Sequence, residues 1–387
     1  MTGGRRKLLV LIDALRPGGA ERAAVSLAMN MPADRFEVTL CATRRHDGSL
    51  ADELAGSGVK YVTLHRSGRF DLLPLWRLFR LLRRERFDVL HAHKFGSNLW
   101  GSVIGRLARV PAVIAHEHTW SYQGNTLRRV LDGRVIGRLA DVFVAVSTRD
   151  QERMTSVEGV PPAKTAFVPN AFVPSEAASQ GNLRDELGLS SDTPVVGTLS
   201  VLRAQKAVDV LLDAFALLLD RIPDAQLVIG GYGPMAEEWE AYANSLGIGD
   251  RVHWLGMRRD VPVVLRGFDA AAMSSDFEGM PIFAFECMAE RVPLVATDVG
   301  GLRDIFVPGE SALLVPPRSP SEMADALAEL LGNADRRRAL AEAAHARLAD
   351  FSMDRAVERI GALYESVLNA ERGRRRIARR RRQLPSD

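Results

Sequence analysis

Residues 268–286, FDAAAMSSDFEGMPIFAFE, combine a strand, a loop and the start of a helix. The small apolar run from Phe268 to Ser274 predicts a buried strand, and Ser275 to Gly279 predict the loop at its carboxyl end. Pro281 suits the first turn of a helix, because its missing N–H would have no helical partner there. A strand followed directly by a helix is the repeating unit of α/β folds with parallel sheets.

The same unit recurs in both halves of the chain. Short β-branched and leucine-rich runs alternate with helical patterns, and the runs are KLLVLID, VTLCAT, VKYVTL, DVLHAH, AVIAHE, DVFVAVS, PVVGTLS, AQLVIGG, RVHWLG, FDAAAMS, PLVATD and ALLVPP. Continuous apolar strands of this kind indicate parallel sheets covered on both faces. A polar, turn-rich stretch at 172–193 separates the two series. We therefore predict two Rossmann-like domains facing across a cleft, with ligands outside the carboxyl ends of the strands.

Length and composition place the chain among globular proteins. Its 387 residues exceed one ordinary core, and 47% of them are hydrophobic and 26% charged. The apolar run Leu8–Ile12 is too short for an export signal, and no run approaches the ~20 apolar residues of a membrane span. Cys41 and Cys287 lie in apolar segments of different halves, which predicts buried free thiols. We expect a cytoplasmic protein.

Positive charge is concentrated at the C-terminus. Residues 371–387 carry eight arginines and two acidic residues, a net charge of +6. Because the whole chain has a net charge of +3, residues 1–370 carry −3. A nucleic-acid-binding protein led by this segment is one alternative class. The net negative body lacks aromatic residues interleaved with basic ones, so we expect no nucleic-acid partner.

Two glutamates flank the start of the helix in the opening stretch. Glu278 lies in the loop, and Glu286 lies about a turn and a half into the helix, roughly 8 Å further along. Between them, the helix N-terminus offers free N–H groups and a positive dipole end. This arrangement suits a ligand with an anionic middle and hydroxyl-rich ends, such as a nucleotide diphosphate-sugar. The alternative is a pair of ordinary surface glutamates on an amphipathic helix.

A glycine pair follows the first strand. Gly18 and Gly19 would let backbone N–H groups approach a phosphate closely at the start of the next helix. A glycine turn after a strand also occurs as plain chain geometry, so both interpretations stay open. The chain contains neither a GxGxxG nor a GxxxxGK[ST] motif.

The stretch at 274–306, SSDFEGMPIFAFECMAERVPLVATDVGGLRDIF, resembles the donor-site signature of the family-four retaining glycosyltransferases of GT-B fold. In that family, two glutamates separated by seven residues precede a strand and a glycine loop. Further segments resemble family landmarks in order, and they are GGAER at 18–22, DVLHAH at 88–93, AHEHTW at 115–120, VPN at 168–170, LRAQKAVDVLLDAF at 202–215 and GGYGP at 230–234. The resemblance covers nearly the whole chain.

The resemblance implies a role for each matching residue. Glu286 would bind the ribose, Glu278 the transferred sugar, and Lys206 the departing diphosphate. His118 would face the sugar, with His116 as the alternative histidine, and Gly19 would lie in the loop that closes on the phosphates. The remaining donor-binding positions implied are Gly18, Gly279, Met280 and Pro281.

Some positions depart from the family pattern. The arginine usual five residues before the lysine is Val201 here, and Arg203 could supply its charge. Arg291 stands where a glycine usually follows the helix, which implies a left-handed backbone at a cost of ~1 kcal/mol. Asp304 replaces a glutamate and Ala171 a glycine. These departures leave the two glutamates and Lys206 in place.

The resemblance implies an enzyme, a hexosyltransferase that moves a sugar with retention from a nucleotide diphosphate-sugar to a hydroxyl. A UDP-sugar is favoured as donor, and GDP-mannose stays open. The chain has no Asp-x-Asp pair and no Cys/His cluster of zinc spacing, so we predict no catalytic metal and no cofactor besides the donor. Another GT-B enzyme, such as a nucleotide-sugar epimerase, is the alternative.

The predicted organisation has four parts. Residues 1–175 form the acceptor-binding domain and 176–350 the donor-binding domain. Residues 351–370 form a C-terminal helix that packs back on the first domain, and 371–387 form the basic tail.

One segment predicts contact with a membrane. In the helix at 74–87, Leu75, Leu78, Phe79 and Leu82 form an apolar stripe beside five arginines. This pattern is typical of a helix that lies on lipid. A helix that covers a sheet and exposes a basic face to solvent has the same pattern. With the basic residues at 372–382, it predicts peripheral binding to the anionic inner face of the cytoplasmic membrane. The acceptor would then be a lipid-linked or cell-envelope saccharide.

Overall fold

The computed structural model describes residues 4–15, 18–44, 49–54, 56–68, 71–118, 125–174 and 180–382. The chain forms two compact units. The first unit combines residues 1–171 with 352–387, and the second consists of residues 172–351. The second unit is therefore inserted in the chain between two segments of the first.

The first unit is built on a seven-stranded parallel sheet with the order β3-β2-β1-β4-β5-β6-β7. Its strands are β1 Arg6–Ile12, β2 Phe36–Ala42, β3 Lys60–Thr63, β4 Val89–His93, β5 Ala112–Glu117, β6 Val142–Ala145 and β7 Thr165–Phe167. The helices that cover it are α1 Gly19–Asn30, α2 Ser49–Glu53, α3 Leu73–Glu85, α4 Phe95–Leu107, α5 Thr126–Leu131, α6 Gly137–Leu139 and α7 Thr148–Ser156. A π-helical turn, Asp132–Ile136, joins α5 to α6.

The second unit is built on a six-stranded parallel sheet with the order β10-β9-β8-β11-β12-β13. Its strands are β8 Val195–Val201, β9 Gln226–Tyr232, β10 Val252–Gly256, β11 Ala270–Met273, β12 Leu294–Thr297 and β13 Leu313–Val315. Its helices are α8 Leu183–Glu186, α9 Val208–Leu219, α10 Ala236–Ser245, α11 Val261–Leu265, α12 Ile282–Ala289, α13 Leu302–Ile305, α14 Pro320–Gly332 and α15 Ala334–Arg347. Two parallel α/β sheets confirm the predicted fold class.

The opening stretch folds as a strand, a loop and a helix, with small shifts at its boundaries. The strand β11 is shorter than predicted, and α12 begins at Ile282 rather than at Pro281, which takes the capping position with an extended backbone. After the helix, Arg291 has φ 52°, the left-handed backbone expected where the family has glycine.

The last helix, α16 Met353–Arg382, belongs to the first unit. Its residues Val357, Ile360 and Tyr364 are buried in the core formed by β1, β2 and α1. The arginine-rich segment predicted as a tail continues this helix through Arg382, and residues 383–387 lie outside the described residues.

The apolar stripe of α3 does not face solvent, so the predicted lipid-contacting face is wrong. Leu78 and Leu82 are buried, and Leu75 and Phe79 pack against the same core beneath the sheet. Packing the stripe against the sheet removes its apolar surface from water, which favours folding. The stripe therefore faces the sheet rather than lipid. The large apolar side chains that are exposed in this region lie at the start of α3, and they are Leu72, Leu73 and Trp76.

Both cysteines are buried and free, as predicted. Cys41 lies in β2 and Cys287 in α12, and burial raises the pKa of the Cys41 thiol to about 12. Among the described residues, no helix combines the length and apolar character that crossing a membrane requires.

Candidate active site

An ion pair joins two predicted site residues in the second unit. Lys206 Nζ lies 2.5 Å from Glu278 Oε1. Glu278 is buried, whereas the lysine side chain keeps a fifth of its surface exposed. A buried carboxylate requires such a partner, because an isolated charge in this environment is strongly disfavoured. The structure thus brings together residues 72 positions apart in the chain.

Neighbouring hydroxyl groups hold this pair at the carboxyl end of the sheet. Ser275 Oγ donates to Glu278 Oε1 over 2.7 Å, and Ser274 Oγ donates to the Lys206 carbonyl over 2.9 Å. Thr297, the last residue of β12, donates to the Ser275 carbonyl over 2.6 Å. These bonds tie the loop after β11 to both neighbouring segments, so the carboxylate has one defined position.

Gly300 lets the next loop pack directly against this one. Its φ is 54°, and a Cβ at this position would lie 1.8 Å from the Glu278 carbonyl oxygen. The following N–H, from Gly301, donates to the Gly279 carbonyl over 2.7 Å. Only a residue without a side chain permits this approach, so the loops after β11 and β12 form one packed structure.

Lys206 stands on a strained connection. It ends the short 3₁₀ turn Ala204–Lys206, and the next residue, Ala207, has φ 45° before α9 begins. A left-handed backbone costs a non-glycine residue roughly 1 kcal/mol or more, and such strain concentrates at functional sites. The left-handed residue directly follows the lysine that pairs with Glu278.

The other predicted residues of the second unit lie around the same sheet edge. Gly279, Met280 and Pro281 are buried between Glu278 and α12, and Glu286 is partly buried on that helix. Arg203 is exposed, and its backbone caps the 3₁₀ turn that carries Lys206. A small cavity of about 10 Å³ is lined by side chains that include Lys206, Ser275 and Thr198.

In the first unit, Gly18 and Gly19 lie at the start of α1, as predicted. Gly18 has an extended backbone, with φ −177°, and caps the helix, and Gly19 is its first residue. Glu21 in the first turn of α1 is buried and accepts a bond of 2.6 Å from Lys94 Nζ. Lys94 itself follows β4 with a left-handed φ of 69°. Sequence reasoning missed Lys94, although a lysine directly after a strand was a visible signal.

His118 belongs to a buried group of four histidines. His91 and His93 lie in β4, and His116 and His118 lie in and directly after β5. His93 Nδ1 lies 2.9 Å from His118 Nε2, and His91 Nε2 lies 3.2 Å from His116 Nδ1. Burial lowers the pKa of His118 to about 3, with the Lys94 charge adding to the shift and a bond to Asn170 opposing it.

The signal for this group was present in the sequence and was missed. Each His-x-His pair places both side chains on one face of its strand. In the parallel register of the two strands, His93 lies opposite His116. The two pairs are 25 residues apart in the chain. Their spacing alone therefore does not show that they are adjacent, and the order of the strands in the sheet is needed as well.

A group of buried acids lies beyond β5. Glu117, Asp132 and Glu158 are all buried, and Arg128 forms ion pairs of 3.3 Å with Glu117 and 3.6 Å with Asp132. Burial, reinforced by the neighbouring carboxylates, raises the pKa of Asp132 to about 8 and that of Glu158 to about 10. Glu158 therefore holds a proton at neutral pH in the folded protein.

The two units match two family models. Residues 17–176 match the model described as Glycosyltransferase Family 4, and residues 179–347 match Glycosyl transferases group 1. A D-inositol 3-phosphate glycosyltransferase of Corynebacterium jeikeium is 32% identical over 322 residues, which cover 76% of this chain and 75% of that protein. The UDP-Gal:alpha-D-GlcNAc-diphosphoundecaprenol alpha-1,3-galactosyltransferase of Escherichia coli is 26% identical, over 73% of this chain and 77% of that protein.

A solved structure shows the same fold. Anabaena Alr3699/HepE in complex with UDP superposes with a TM-score of 0.80 at 22% identity, over 93% of this chain and 100% of that chain. The agreement in fold and in sequence confirms the family inferred from the donor-site signature. The chain is a glycosyltransferase of the glycosyl transferases group 1 family, with the GT-B fold.

Proposed function

We propose that this enzyme transfers a hexosyl group from a UDP-sugar to a hydroxyl of a lipid-linked saccharide or another phosphate-bearing acceptor, with retention of configuration and without a catalytic metal. GDP-mannose is the alternative donor. The observation that carries the proposal is the Lys206–Glu278 pair at the carboxyl edge of the second sheet. It lies where α/β proteins bind nucleotides, and both residues stand in the register of the family's donor signature.

The pair suits the departure of a diphosphate. As the bond between the sugar C1 and the diphosphate breaks, its electron pair moves to the phosphate oxygen, and Lys206 stabilises the developing negative charge. The acceptor oxygen bonds to C1 on the same face, and its proton passes to the departing phosphate oxygen. The nearby N–H groups at the start of α12 would bind the phosphates.

The two glutamates would hold the ends of the donor. Glu278 would accept hydrogen bonds from hydroxyl groups of the transferred sugar once Lys206 turns to the diphosphate. Glu286 would accept hydrogen bonds from the hydroxyl groups of the ribose. Arg203 adds positive charge beside the diphosphate. For the first unit, the family resemblance gives Gly18 and Gly19 a role in binding phosphate and His118 a role in contacting the transferred sugar.

Donor binding and turnover separate these roles. Glu286→Ala should weaken the free energy of UDP-sugar binding by ~1–3 kcal/mol, because hydrogen bonds to the ribose are lost. Glu278→Gln should lower kcat more than it weakens donor binding. Glu290→Ala is the matched control, since Glu290 follows α12 and pairs with Arg266 at 3.2 Å. If both glutamate variants behave like the control, the donor assignment is wrong.

The donor and the stereochemistry need a direct assay. UDP-, GDP- and ADP-sugars would be screened by thermal shift, and product linkage would be read by NMR after transfer. A UDP-sugar that stabilises the protein and yields the α-linked product from an α-linked donor supports the proposal. Epimerised donor with no transfer would favour the epimerase alternative. Turnover in EDTA should persist, and turnover that stops in EDTA and returns with Mn²⁺ would overturn metal independence.

Two acceptor classes are favoured by the relatives. The Escherichia coli relative is named for an acceptor that carries a diphosphate-linked lipid, and the Corynebacterium relative for an inositol phosphate. We infer a lipid-linked saccharide of the cell envelope as the first candidate and a soluble polyol phosphate as the second. Activity on each acceptor, in detergent and without it, distinguishes them.

The lipid-linked candidate is supported by an exposed patch at the start of α3. Leu72, Leu73 and Trp76 are exposed, and Arg80 stacks over the Trp76 ring at 4.6 Å. A tryptophan beside arginines suits the interface of an anionic leaflet, where each basic residue contributes ~1 kcal/mol. With the basic end of α16, this patch would hold the enzyme at the inner face of the cytoplasmic membrane.

Vesicle co-sedimentation tests this contact. The full chain should sediment with anionic vesicles at low salt, and Trp76→Ser should weaken binding more than Val130→Ser, which changes an exposed apolar residue of α5. Protein that stays in the supernatant at low salt would contradict membrane binding and leave the donor assignment intact.

A further inference from the structure

Three buried histidines of the first unit have the donor atoms of a metal site. His91, His93 and His116 have at most a twentieth of their surface exposed. One ring nitrogen from each lies within 4.8 Å of the corresponding atoms of the other two. In a zinc site with bonds of ~2.0–2.1 Å, ligand atoms lie roughly 3–3.5 Å apart. Binding an ion would therefore draw the rings together and replace the His91–His116 hydrogen bond.

Two ring nitrogens in this group have no hydrogen-bond partner among the described residues. They are His93 Nε2 and His116 Nε2, and both are shielded from solvent. A buried polar atom left without a partner costs ~1–3 kcal/mol, so two in one cluster call for a ligand. A cavity of about 30 Å³ lies beside them, lined by His93, His116 and His118. That space accommodates a water-sized group as a further ligand.

The surrounding residues hold the imidazoles as outer ligands do in metal sites. The Tyr364 hydroxyl lies 2.6 Å from His91 Nδ1 and fixes that ring from the side away from His116. Asn98 bonds to both backbone groups of His116, donating to its carbonyl over 3.0 Å and accepting from its N–H over 3.1 Å. A partner on the second ring nitrogen, such as Tyr364, orients a ligating histidine, whereas Asn98 fixes the backbone of β5 at His116.

We propose that His91, His93 and His116 bind one Zn²⁺ ion, with a water in the adjoining cavity as the fourth ligand. Three imidazoles without carboxylate favour zinc and its neighbours in the transition series over Mg²⁺ or Ca²⁺. The site lies in the first unit, whereas the residues proposed to face the diphosphate charge, Lys206 and Arg203, lie in the second. The ion would stabilise the fold of the first unit, and the metal-free transfer step proposed above assigns it no role.

Metal content of the full-length protein tests the site directly. Protein produced in zinc-supplemented medium should contain about one equivalent of zinc by mass spectrometry. After chelation, added Zn²⁺ should raise the unfolding temperature, because an ion that binds the folded state stabilises it. Co²⁺ added to the stripped protein should give the visible absorption of a tetrahedral site with nitrogen ligands.

The double variant His93→Gln/His116→Gln should lower zinc affinity at least tenfold and remove the cobalt spectrum. His253→Gln is the control, because His253 lies in the second unit, where it bonds to Gln226. Circular dichroism of the stripped proteins shows whether the double variant folds. If it does not, the wild-type cobalt spectrum decides, since a six-coordinate spectrum or none overturns the site.

Wild-type protein that binds no zinc, or a folded double variant that binds it as well as wild type, also overturns the proposal. UDP-sugar turnover measured on the same samples keeps the two proposals apart. An active enzyme without zinc binding would leave only the metal site refuted.

Discussion

The carboxyl edges of the two sheets differ in the buried ionisable groups that lie there. At the edge of the second sheet, Lys206 meets Glu278 at 2.5 Å, so opposite charges lie together. At the edge of the first sheet, Lys94 and Glu21 also form an ion pair at 2.6 Å, but four imidazoles lie side by side and three buried carboxyl groups lie near Arg128. Burial lowers the pKa values of the clustered imidazoles and so favours their neutral forms, whereas the buried Glu278 has an oppositely charged partner.

This difference indicates different roles for the two edges. Fixed opposite charges are ready to stabilise charge that develops during a reaction. Neutral groups held by mutual hydrogen bonds contribute to the packing and stability of their unit. We therefore expect changes at Lys206 and Glu278 to act on turnover, and changes to the hydrogen-bond partners of the buried histidines to act on the free energy of unfolding.

Removing the lysine should have the largest effect. Lys206→Ala is expected to slow transfer by about two to three orders of magnitude, the scale for losing one preorganised contact to developing charge. Single-turnover kinetics with saturating donor would measure it. Arg221→Ala is the control, because this arginine forms an exposed ion pair with Asp325 at 2.6 Å. Equal rates in the two variants would contradict the role of the charge.

Moving the backbone of Glu278 should have the second largest effect on the rate. Gly300→Ala places a Cβ 1.8 Å from the Glu278 carbonyl oxygen, so one of the two loops must move. A shift of ~1 Å at a reacting centre can cost up to 10²-fold in rate. Gly309→Ala is the matched control, since its φ is also positive, 74°, and nothing lies within 4 Å of the added Cβ. Normal kcat in Gly300→Ala, with the structure unchanged, would mean that the loop packing is not needed.

At the first edge, removing one hydroxyl should change stability and leave the second unit unaffected. Tyr364→Phe leaves His91 Nδ1 buried without its partner, which should lower the free energy of unfolding by ~1–3 kcal/mol. Urea denaturation would measure the loss. Tyr242→Phe, which removes a partly buried bond of 2.7 Å to Asp213, should cost less. A larger loss in the control would reverse the comparison.

The last expected effect comes from a buried acid, and unlike the others it depends on pH. The folded pKa of Glu158 is raised to about 10 from an unfolded value of 4.5, so the folded state holds a proton that the unfolded state releases. Stability is therefore lost as pH rises through this window, and Glu158→Gln should remove the loss. We expect the variant to gain stability relative to wild type at pH 8 and to gain much less at pH 5.

Thermal unfolding at both pH values would measure that gain. Glu152→Gln, an exposed position on α7, should show no pH-dependent difference from wild type. A variant that is equally destabilised at both pH values would mean that Glu158 is held by contacts rather than penalised by burial.

The sequence predicted the second edge better than the first, for a physical reason. The loop and helix after β11 are contiguous in the chain, so local signals at Glu278 and Pro281 were sufficient to place them. The histidine group depends on β4 lying beside β5, which only the folded sheet establishes. Likewise, the stripe of α3 could face lipid or sheet, and its pattern is the same for both partners. Lys94 was missed because its pairing with Glu21 crosses 73 residues.

Tyr364 has a consequence for synthesis. It completes the core of the first unit, yet the whole second unit, residues 172–351, leaves the ribosome before it. Domains usually fold in the order in which they emerge. Here the later-emerging unit is contiguous and can fold first, while the earlier one waits for the last helix of the chain. A nascent chain stalled before residue 353 should therefore carry an incomplete first unit with an exposed apolar groove, the surface that chaperones recognise.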